Sequence, residues 1–437
     1  MNAPKPPTPM LPTRGARLEI RAEGLTPEGD AFAHLGDVEL RVPGLLPGER
    51  AEVLVTEGKA RRGTRRARAR LLELREPSPA RREPACRHQR RCGGCPLMIL
   101  DEAEQRAQKR AWLARLGLEV AELRHDDAAT GYRWSAKRVV GGSAGALELG
   151  SWVRGSHELA SMSGCLVDHP TLVAAASEIT EVASRLAIEP YDEAKASGDL
   201  RYVWLKTDGE RVLVTLVSAS EKSRVRELAA ALERPSGIAW SIQGTTGNAM
   251  RGSDAQLLRG DPTLTLTLAG ERLEVGPLDF LQPNPHVAAM AYQALVGTTR
   301  GDLAWDLYAG TGFTTRLLRH RFTTVHACDA RPGAGAALGI EATTTDAFLA
   351  QHHDESPTLV IANPPRAGLG PAVCQALAEL PHPFELRIMS CHPEALARDV
   401  AHLTTHGFTL AHAEAFDTLP QTAHVEVVVA MSSAEAR

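Results

Sequence analysis

Two patterns of apolar positions follow one another along the chain. Between residues 16 and 76, RLEIRAEGL, DVELRVPGL, RAEVLVTEG and RARARLLEL alternate or run apolar, with Gly and Pro between them. Five short strands in this space predict a small barrel of the OB type. The segment 96–124 (LMILDEAEQRAQKRAWLARLGLEV) carries a helical period, and a further helix is predicted at 171–186. RYVWLKT and RVLVTLVSAS are strand-like pieces of a mixed region. From about residue 285 strands and helices alternate: PHVAAMAYQALVGTT is helical, and LAWDLYAG, FTTVHACDA, PTLVIANPP and LRIMSCHP are strands that each end in a turn. That alternation predicts a parallel, doubly wound sheet. AHVEVVVAM reads as a last, antiparallel strand at its edge. The fold class expected is multidomain α/β: a disordered lead-in at 1–13, a β-barrel at 14–76, a central α+β domain at 77–279 and a Rossmann-like domain at 280–437.

Composition narrows the setting. No run approaches the ~20 apolar residues that span a bilayer, and MNAPKPPTPMLPT has no apolar leader core. A cytoplasmic protein, monomeric and without a membrane partner, is the expectation. In that compartment cysteines stay reduced, so the seven cysteines are candidates for metal binding, catalysis or packing. Net charge is only −4, yet residues 59–91 hold thirteen Lys or Arg against three Glu. Such a basic stretch on an acidic chain predicts a polyanion contact, with a solvated surface as the plainer reading.

Three groups of residues carry chemistry. Cys86, Cys92 and Cys95 cluster in a polar, glycine-rich loop, with Cys165 downstream in SGCLVDHP. Four thiolates can hold zinc or an iron–sulfur cluster, and spacing leaves that choice open. Asp306-Leu-Tyr-Ala-Gly-Thr-Gly312 ends a strand and opens a helix, so its glycines admit a cofactor close to the backbone. Asp329 ends the next strand, placed for ribose hydroxyls or for a turn cap. Asn363-Pro-Pro-Arg366 closes another strand at the same carboxyl edge. Cys391 ends a strand before His392-Pro393 and a helix near Glu394, a setting that favours a thiolate. His392 is a base or a loop residue. Cys328 and Cys374 read as packing residues. Glu426 interrupts an apolar strand, which is costly unless it is paired, exposed at an edge or functional.

These segments together resemble the bacterial RNA uracil-5-methyltransferases, above all the rRNA-modifying members that carry an iron–sulfur cluster. Residues 23–53 look like the RNA-binding TRAM domain of that family. The resemblance implies a 4Fe–4S cluster on Cys86, Cys92, Cys95 and Cys165. FLQPN at 280–284 and DLYAGTG at 306–312 resemble its S-adenosyl-L-methionine segments, which implies cofactor roles for Gln282, Tyr308, Gly310 and Gly312, with Asp329 and Asn363 beside them. SCHPEALARD at 390–399 and QTAHVEVV at 421–428 resemble the nucleophile and base motifs, which makes Cys391 and Glu426 the catalytic pair. The implied reaction is methylation of carbon 5 of a uridine in RNA, with 23S rRNA the expected target. The chain departs from the family pattern at Asn363, where Asp is usual. Methylation of tRNA, methylation of a base amino group, and an inactive RNA-binding iron–sulfur protein are the alternatives.

Overall fold

The computed structural model describes residues 11–61, 64–154, 156–245, 249–331, 335–381 and 383–433. Residues 1–10 of the expected lead-in lie outside the described residues. The chain divides into two compact units. Residues 1–112 and 419–424 form one, and residues 113–418 and 425–437 form the other.

In the first unit the strands are β1 (Arg17–Arg21), β2 (Gly24–Leu25), β3 (Ala31–Leu35), β4 (Val38–Val42), β5 (Arg50–Arg61) and β6 (Thr64–Glu76). They form one sheet in the order β1-β5-β6-β4-β3-β2. Alternation decides which side chains enter its core: Val38, Leu40 and Val42 are buried, whereas Glu39 and Arg41 between them are not. A short helix, α1 (Gln89–Cys92), and a longer one, α2 (Glu102–Arg115), follow. The chain returns to this unit at residues 419–424, where Ala423 joins the core that holds Leu40, Val53 and Leu97. Gln105 of α2 fixes that return. Its side-chain N–H donates to Gln421 Oε1 at 2.9 Å, and its Oε1 accepts the Gln421 backbone N–H at 3.0 Å.

The basic stretch is less charged in effect than its composition implies. Arg65 pairs with Asp37, Arg66 with Glu39, Arg68 with Glu57 and Arg75 with Glu52 and Glu73. Arg81 meets the fully buried Glu49 twice, at 2.6 and 2.7 Å. Glu49 also accepts the backbone N–H groups of Leu46 and Ser78, so this pair is a structural staple. Strand pairing brings acids from elsewhere in the chain against these arginines, and much of the expected +10 is neutralised locally.

The second unit opens with a two-residue strand, β7 (Leu123–Arg124). Next come β8 (Ser135–Ser143), β9 (Ala146–Trp152), β10 (Leu159–Ser161), α3 (Pro170–Arg185), β11 (Leu200–Thr207), β12 (Val212–Ser218), α4 (Val225–Ala231), β13 (Gly237–Ile242) and β14 (Gln256–Gly260). These strands make a sheet in the order β10-β9-β8-β11-β12-β13-β14, and α3 and α4 share its core. A hairpin, β15 (Leu264–Leu268) and β16 (Glu271–Val275), leads to α5 (Pro285–Val296). Beyond it lie β17 (Gly301–Leu307), α6 (Phe313–Arg319), β18 (Phe322–Cys328), α7 (Thr345–Gln351), β19 (Leu359–Ala362), α8 (Gly370–Ala378), β20 (Glu385–Ser390), α9 (Pro393–Thr405), β21 (Phe408–Phe416) and β22 (Glu426–Ser433).

The second sheet runs β18-β17-β19-β20-β22-β21-β7. Strands β18, β17, β19 and β20 are mutually parallel, as the alternating pattern predicts. The chain leaves β17 for β18 on one side and then crosses to β19 on the other. That reversal opens a crevice at the carboxyl ends of β17 and β19, where such sheets take ligands. Strand β22 is antiparallel but does not lie at the edge as expected. It is hydrogen-bonded to β20 on one side and to β21 on the other. Its apolar run is therefore covered along both edges, and Glu426 at its start is not an edge-strand charge. Cys328 and Cys374 are fully buried, as packing residues are. Among the described residues no helix is long and apolar enough to cross a membrane.

Candidate active site

The turn after β17 is shaped by three left-handed residues. Tyr308, Gly310 and Gly312 have φ of +61°, +58° and +83°. Only glycine takes such angles freely, so Tyr308 is held there by its surroundings. Asp306, buried just before the turn, accepts the Thr314 hydroxyl at 2.8 Å and the Thr315 hydroxyl at 2.6 Å. Burial pushes its carboxyl up to about 6, against the pull of those hydroxyls. The start of α6 is thereby tied back to the end of β17. Asp329, one residue past β18, accepts the Gly310 N–H on Oδ2 at 2.9 Å and the Arg331 backbone N–H on Oδ1 at 2.9 Å. Asn363, one residue past β19, donates its backbone N–H to Leu307 O at 3.3 Å.

These strand ends enclose a cavity of about 300 Å³. Gln282, Tyr308, Gly310, Asp329 and Asn363 all line it, so five of the six residues expected to hold a cofactor share one space. Gly312 does not line it; it is the N-cap of α6. Its left-handed backbone has no room for a side chain, since a β-carbon there would come within 2.4 Å of Leu338. Two acceptors, a tyrosine, and apolar walls from Phe280, Leu281 and Phe313 suit a nucleoside with a polar tail.

A second group of residues sits at the ends of β20 and β22. Cys391 follows β20 and is exposed, whereas Glu426 opens β22 and is buried. Arg366, two residues after the Asn363-Pro364 pair, lies near enough for its positive charge to act on both the Cys391 thiol and Glu426. Burial pushes the Glu426 carboxyl up to about 8, with Arg366 pulling the other way. Its Oε2 is buried and has no hydrogen-bond partner among the described residues. Burial also raises the Cys391 thiol; the Glu426 charge adds to this, and Arg366 opposes it. The thiol is therefore not lowered as its place before α9 led us to expect. His392 is the N-cap of α9, its Nδ1 accepting the Ala395 N–H at 3.3 Å. That fixes it as a helix cap.

Two residues missed in the sequence organise these groups. Tyr292 of α5 is half-buried, lines the cavity and accepts the Gln282 side-chain N–H at 3.4 Å. Burial raises its hydroxyl to about 12, partly offset by Gln282, and the charge of Glu426 raises it further. Tyr292 thus touches Gln282 at the cavity and feels the charge of Glu426. Asp399 of α9 accepts the N–H groups of Leu369 at 2.8 Å and Gly370 at 3.2 Å, anchoring the loop that bears Arg366. Its signal was present: Leu396, Val400 and Leu403 mark a core-facing stripe, and an acid on that stripe needs a partner.

Cys86, Cys92 and Cys95 lie half-buried in one loop of the first unit, and Cys165 lies half-buried in the second unit between β10 and α3. Gly93, at φ +65°, ends α1 and turns the loop back, and the Gln89 side chain donates to Cys95 O at 3.3 Å. All four thiols are free of disulfides. The residue types suit zinc or an iron–sulfur cluster, but among the described residues the structure does not bring the three loop sulfurs within 4.8 Å of one another.

The family model for tRNA (uracil-5-)-methyltransferase matches residues 351–434, the stretch that contains Asn363, Arg366, Cys391 and Glu426. An uncharacterized RNA methyltransferase of Listeria innocua is 26% identical over 95% of this chain and 97% of its own length. One from Thermosynechococcus vestitus is 29% identical over 96% and 99%. Over residues 351–434 the chain is similar to the tRNA (uracil-5-)-methyltransferases, and over nearly its whole length to proteins named as RNA methyltransferases. The fold agrees. The tRNA (uracil-54, C5)-methyltransferase of Pyrococcus abyssi, solved with S-adenosyl-L-homocysteine, has a TM-score of 0.76 at 23% identity, over 95% of this chain and all of that one. The second unit contains both the cavity residues and the group around Cys391 and Glu426.

Proposed function

We propose that this enzyme methylates carbon 5 of a uridine in RNA, with Cys391 as nucleophile and Glu426 as base. The observation that carries the reading is the grouping of Cys391, Arg366 and a buried Glu426 whose Oε2 has no hydrogen-bond partner. Gln282, Tyr308, Gly310, Asp329 and Asn363 would hold S-adenosyl-L-methionine, Asp329 through ribose hydroxyls. When bound, that group supplies an electrophilic methyl on a sulfonium.

Carbon 5 of uracil is a poor nucleophile. The Cys391 thiolate adds to carbon 6, a C–S bond forms, and the former double-bond pair moves to carbon 5 and the adjacent carbonyl oxygen. Arg366 stabilises the thiolate before attack. The electron pair on carbon 5 would then form a bond to the methyl, whose bond to the sulfonium breaks and leaves its pair on the sulfur of the departing thioether. Glu426 removes the carbon 5 proton, the double bond re-forms, and the C–S bond breaks to return the thiolate. A carboxyl raised to about 8 is a stronger base than an ordinary glutamate, which suits this carbon-bound proton. The uridine must leave its stack to reach the exposed Cys391, so a loop or single strand is the expected target.

Cys86, Cys92, Cys95 and Cys165 are proposed to hold a 4Fe–4S cluster that positions structure or RNA, since methyl transfer needs no electron. The six-stranded sheet of the first unit is proposed as an OB-type TRAM domain that grips phosphates, with affinity that falls as salt rises. Its presence together with the cysteine loop favours 23S rRNA as substrate. A tRNA substrate is the second reading, favoured by the matched family model and the Pyrococcus abyssi relative. Nucleoside mass spectrometry of the host's rRNA and tRNA, with and without the gene, tests the proposal. Loss of one 5-methyluridine from either RNA supports the reaction and names the substrate. An unchanged profile in both refutes it.

A further inference from the structure

Away from the cavity, His326 of β18, Glu341 and His352, the C-cap of α7, converge on one point. A ligand atom from each lies within 4.8 Å of the other two. His352 is almost fully buried against the rings of Phe348 and Trp305. Its Nε2 faces Glu341 Oε1 at 3.2 Å, and its Nδ1 meets Glu355 Oε1 at 2.8 Å. The His326 and His352 rings stand edge to face at 4.9 Å.

We propose that His326, Glu341 and His352 form a zinc site, with Glu355 holding His352 from behind. The donor set is two imidazoles and one carboxylate, a common zinc set that leaves a fourth position for water. Magnesium and calcium are disfavoured because they prefer oxygen ligands throughout. Glu355 stands where the second nitrogen of a zinc-bound histidine normally donates to a carboxylate. Glu341 and Glu355 bring two carboxylates to the group, which a divalent cation would offset. The aromatic wall around His352 limits its rotation and keeps that side of the site dry. The 3.2 Å between His352 Nε2 and Glu341 Oε1 already matches the roughly 3.3 Å between ligand atoms in a tetrahedral site with bonds of ~2.0–2.1 Å.

The site has a structural consequence for its neighbours. The Glu341 N–H donates to Ala327 O at 2.8 Å, and Glu341 O accepts the Asp329 N–H at 3.0 Å. A cation on the Glu341 side chain would hold the backbone that presents Asp329 to the cavity. The proposal goes beyond the methyl-transfer reading and stands without it.

The test is metal counting on the full-length, cluster-reconstituted protein, comparing wild type with His326→Gln and Glu341→Gln. Both variants alter side chains that are partly exposed, and their metal-free melting temperatures should match wild type. After zinc exposure and gel filtration, wild type should hold one equivalent more zinc than either variant. Zinc should raise the melting temperature of wild type only. Cobalt(II) separates this site from the thiols: filling it should give visible d–d bands without the near-ultraviolet thiolate charge-transfer band. Equal zinc in all three proteins, or cobalt bands that always carry the thiolate signature, would overturn the proposal and leave the group as an ion-pair network.

Discussion

The backbone N–H of Gly310 donates to Asp329 Oδ2 at 2.9 Å, so the turn after β17 and the acidic end of β18 form one rigid unit. Asp329 is thereby held in place before any ligand arrives. Asp329→Ala should weaken S-adenosylmethionine binding by roughly 10–100-fold, the scale of charge-assisted hydrogen bonds. Calorimetric titration would measure this. Undiminished affinity would remove Asp329 from the cofactor site.

The buried Glu426 makes stability depend on pH in a defined direction. Its carboxyl is raised from 4.5 to about 8 in the folded chain. Between those values the folded state binds more protons than the unfolded state, so this contribution to stability is complete below 4.5 and is lost as pH rises through about 8. Glu426→Gln stays neutral throughout. It should resist urea about as well as wild type at pH 4.5 and better at pH 9, by on the order of a few kcal/mol. Parallel denaturation curves with the same offset at both pH values would contradict the assignment.

The same substitution separates the chemical steps. Without the carboxylate, carbon 5 can still be methylated but the covalent adduct cannot collapse by loss of its proton. Glu426→Gln should therefore accumulate a protein–RNA adduct visible as a shifted band in a denaturing gel. Cys391→Ala should form none. An adduct in Cys391→Ala, or its absence from wild type with 5-fluorouridine RNA, would refute the covalent route.

Burial and the Glu426 charge raise the Cys391 thiol, and the Arg366 charge opposes them. Arg366→Ala removes the opposing effect. The pH at which iodoacetamide alkylation of Cys391 is half-maximal should rise. An unmoved profile would mean that Arg366 does not act on the sulfur.

Asp399 is a positioning residue. Its removal leaves the N–H groups of Leu369 and Gly370 without their acceptor, at about 1–3 kcal/mol for each group that stays buried. Asp399→Ala should melt earlier and lower kcat, because the Arg366 loop loses its anchor, while S-adenosylmethionine affinity changes little. A proportionate fall in that affinity would assign Asp399 to the cofactor instead.

What the sequence revealed depended on how local each signal was. The parallel strands were legible because each apolar run ends in its own turn, and those turns carry Asp329, Asn363 and Cys391. Strand β21 was not read: its pairing with β22 slips between Leu410 and His412, and that irregularity breaks the alternation. Without β21, β22 looked like an edge, and the burial of Glu426 could not be seen. The Arg81–Glu49 pair joins residues 32 positions apart, which composition cannot match. Tyr292 was hidden for another reason. A tyrosine on an apolar helix face reads as core, and only the meeting of α5 with the start of β22 gives its hydroxyl a role.

The return of residues 419–424 to the first unit bears on how the chain is made. Leucine 97 donates its N–H to Gln421 O at 3.0 Å, Gln105 grips both sides of Gln421, and Ala423 lies in the same core. Domains ordinarily fold in order as they leave the ribosome. This N-terminal unit cannot: its last structural piece is synthesised only after the whole second sheet except β22. A nascent chain halted before residue 419 would carry an open N-terminal core, with Gln105 lacking its partner and Leu97 lacking its acceptor. Completion of the first unit is thus tied to synthesis of nearly the whole second unit, ending two residues before Glu426.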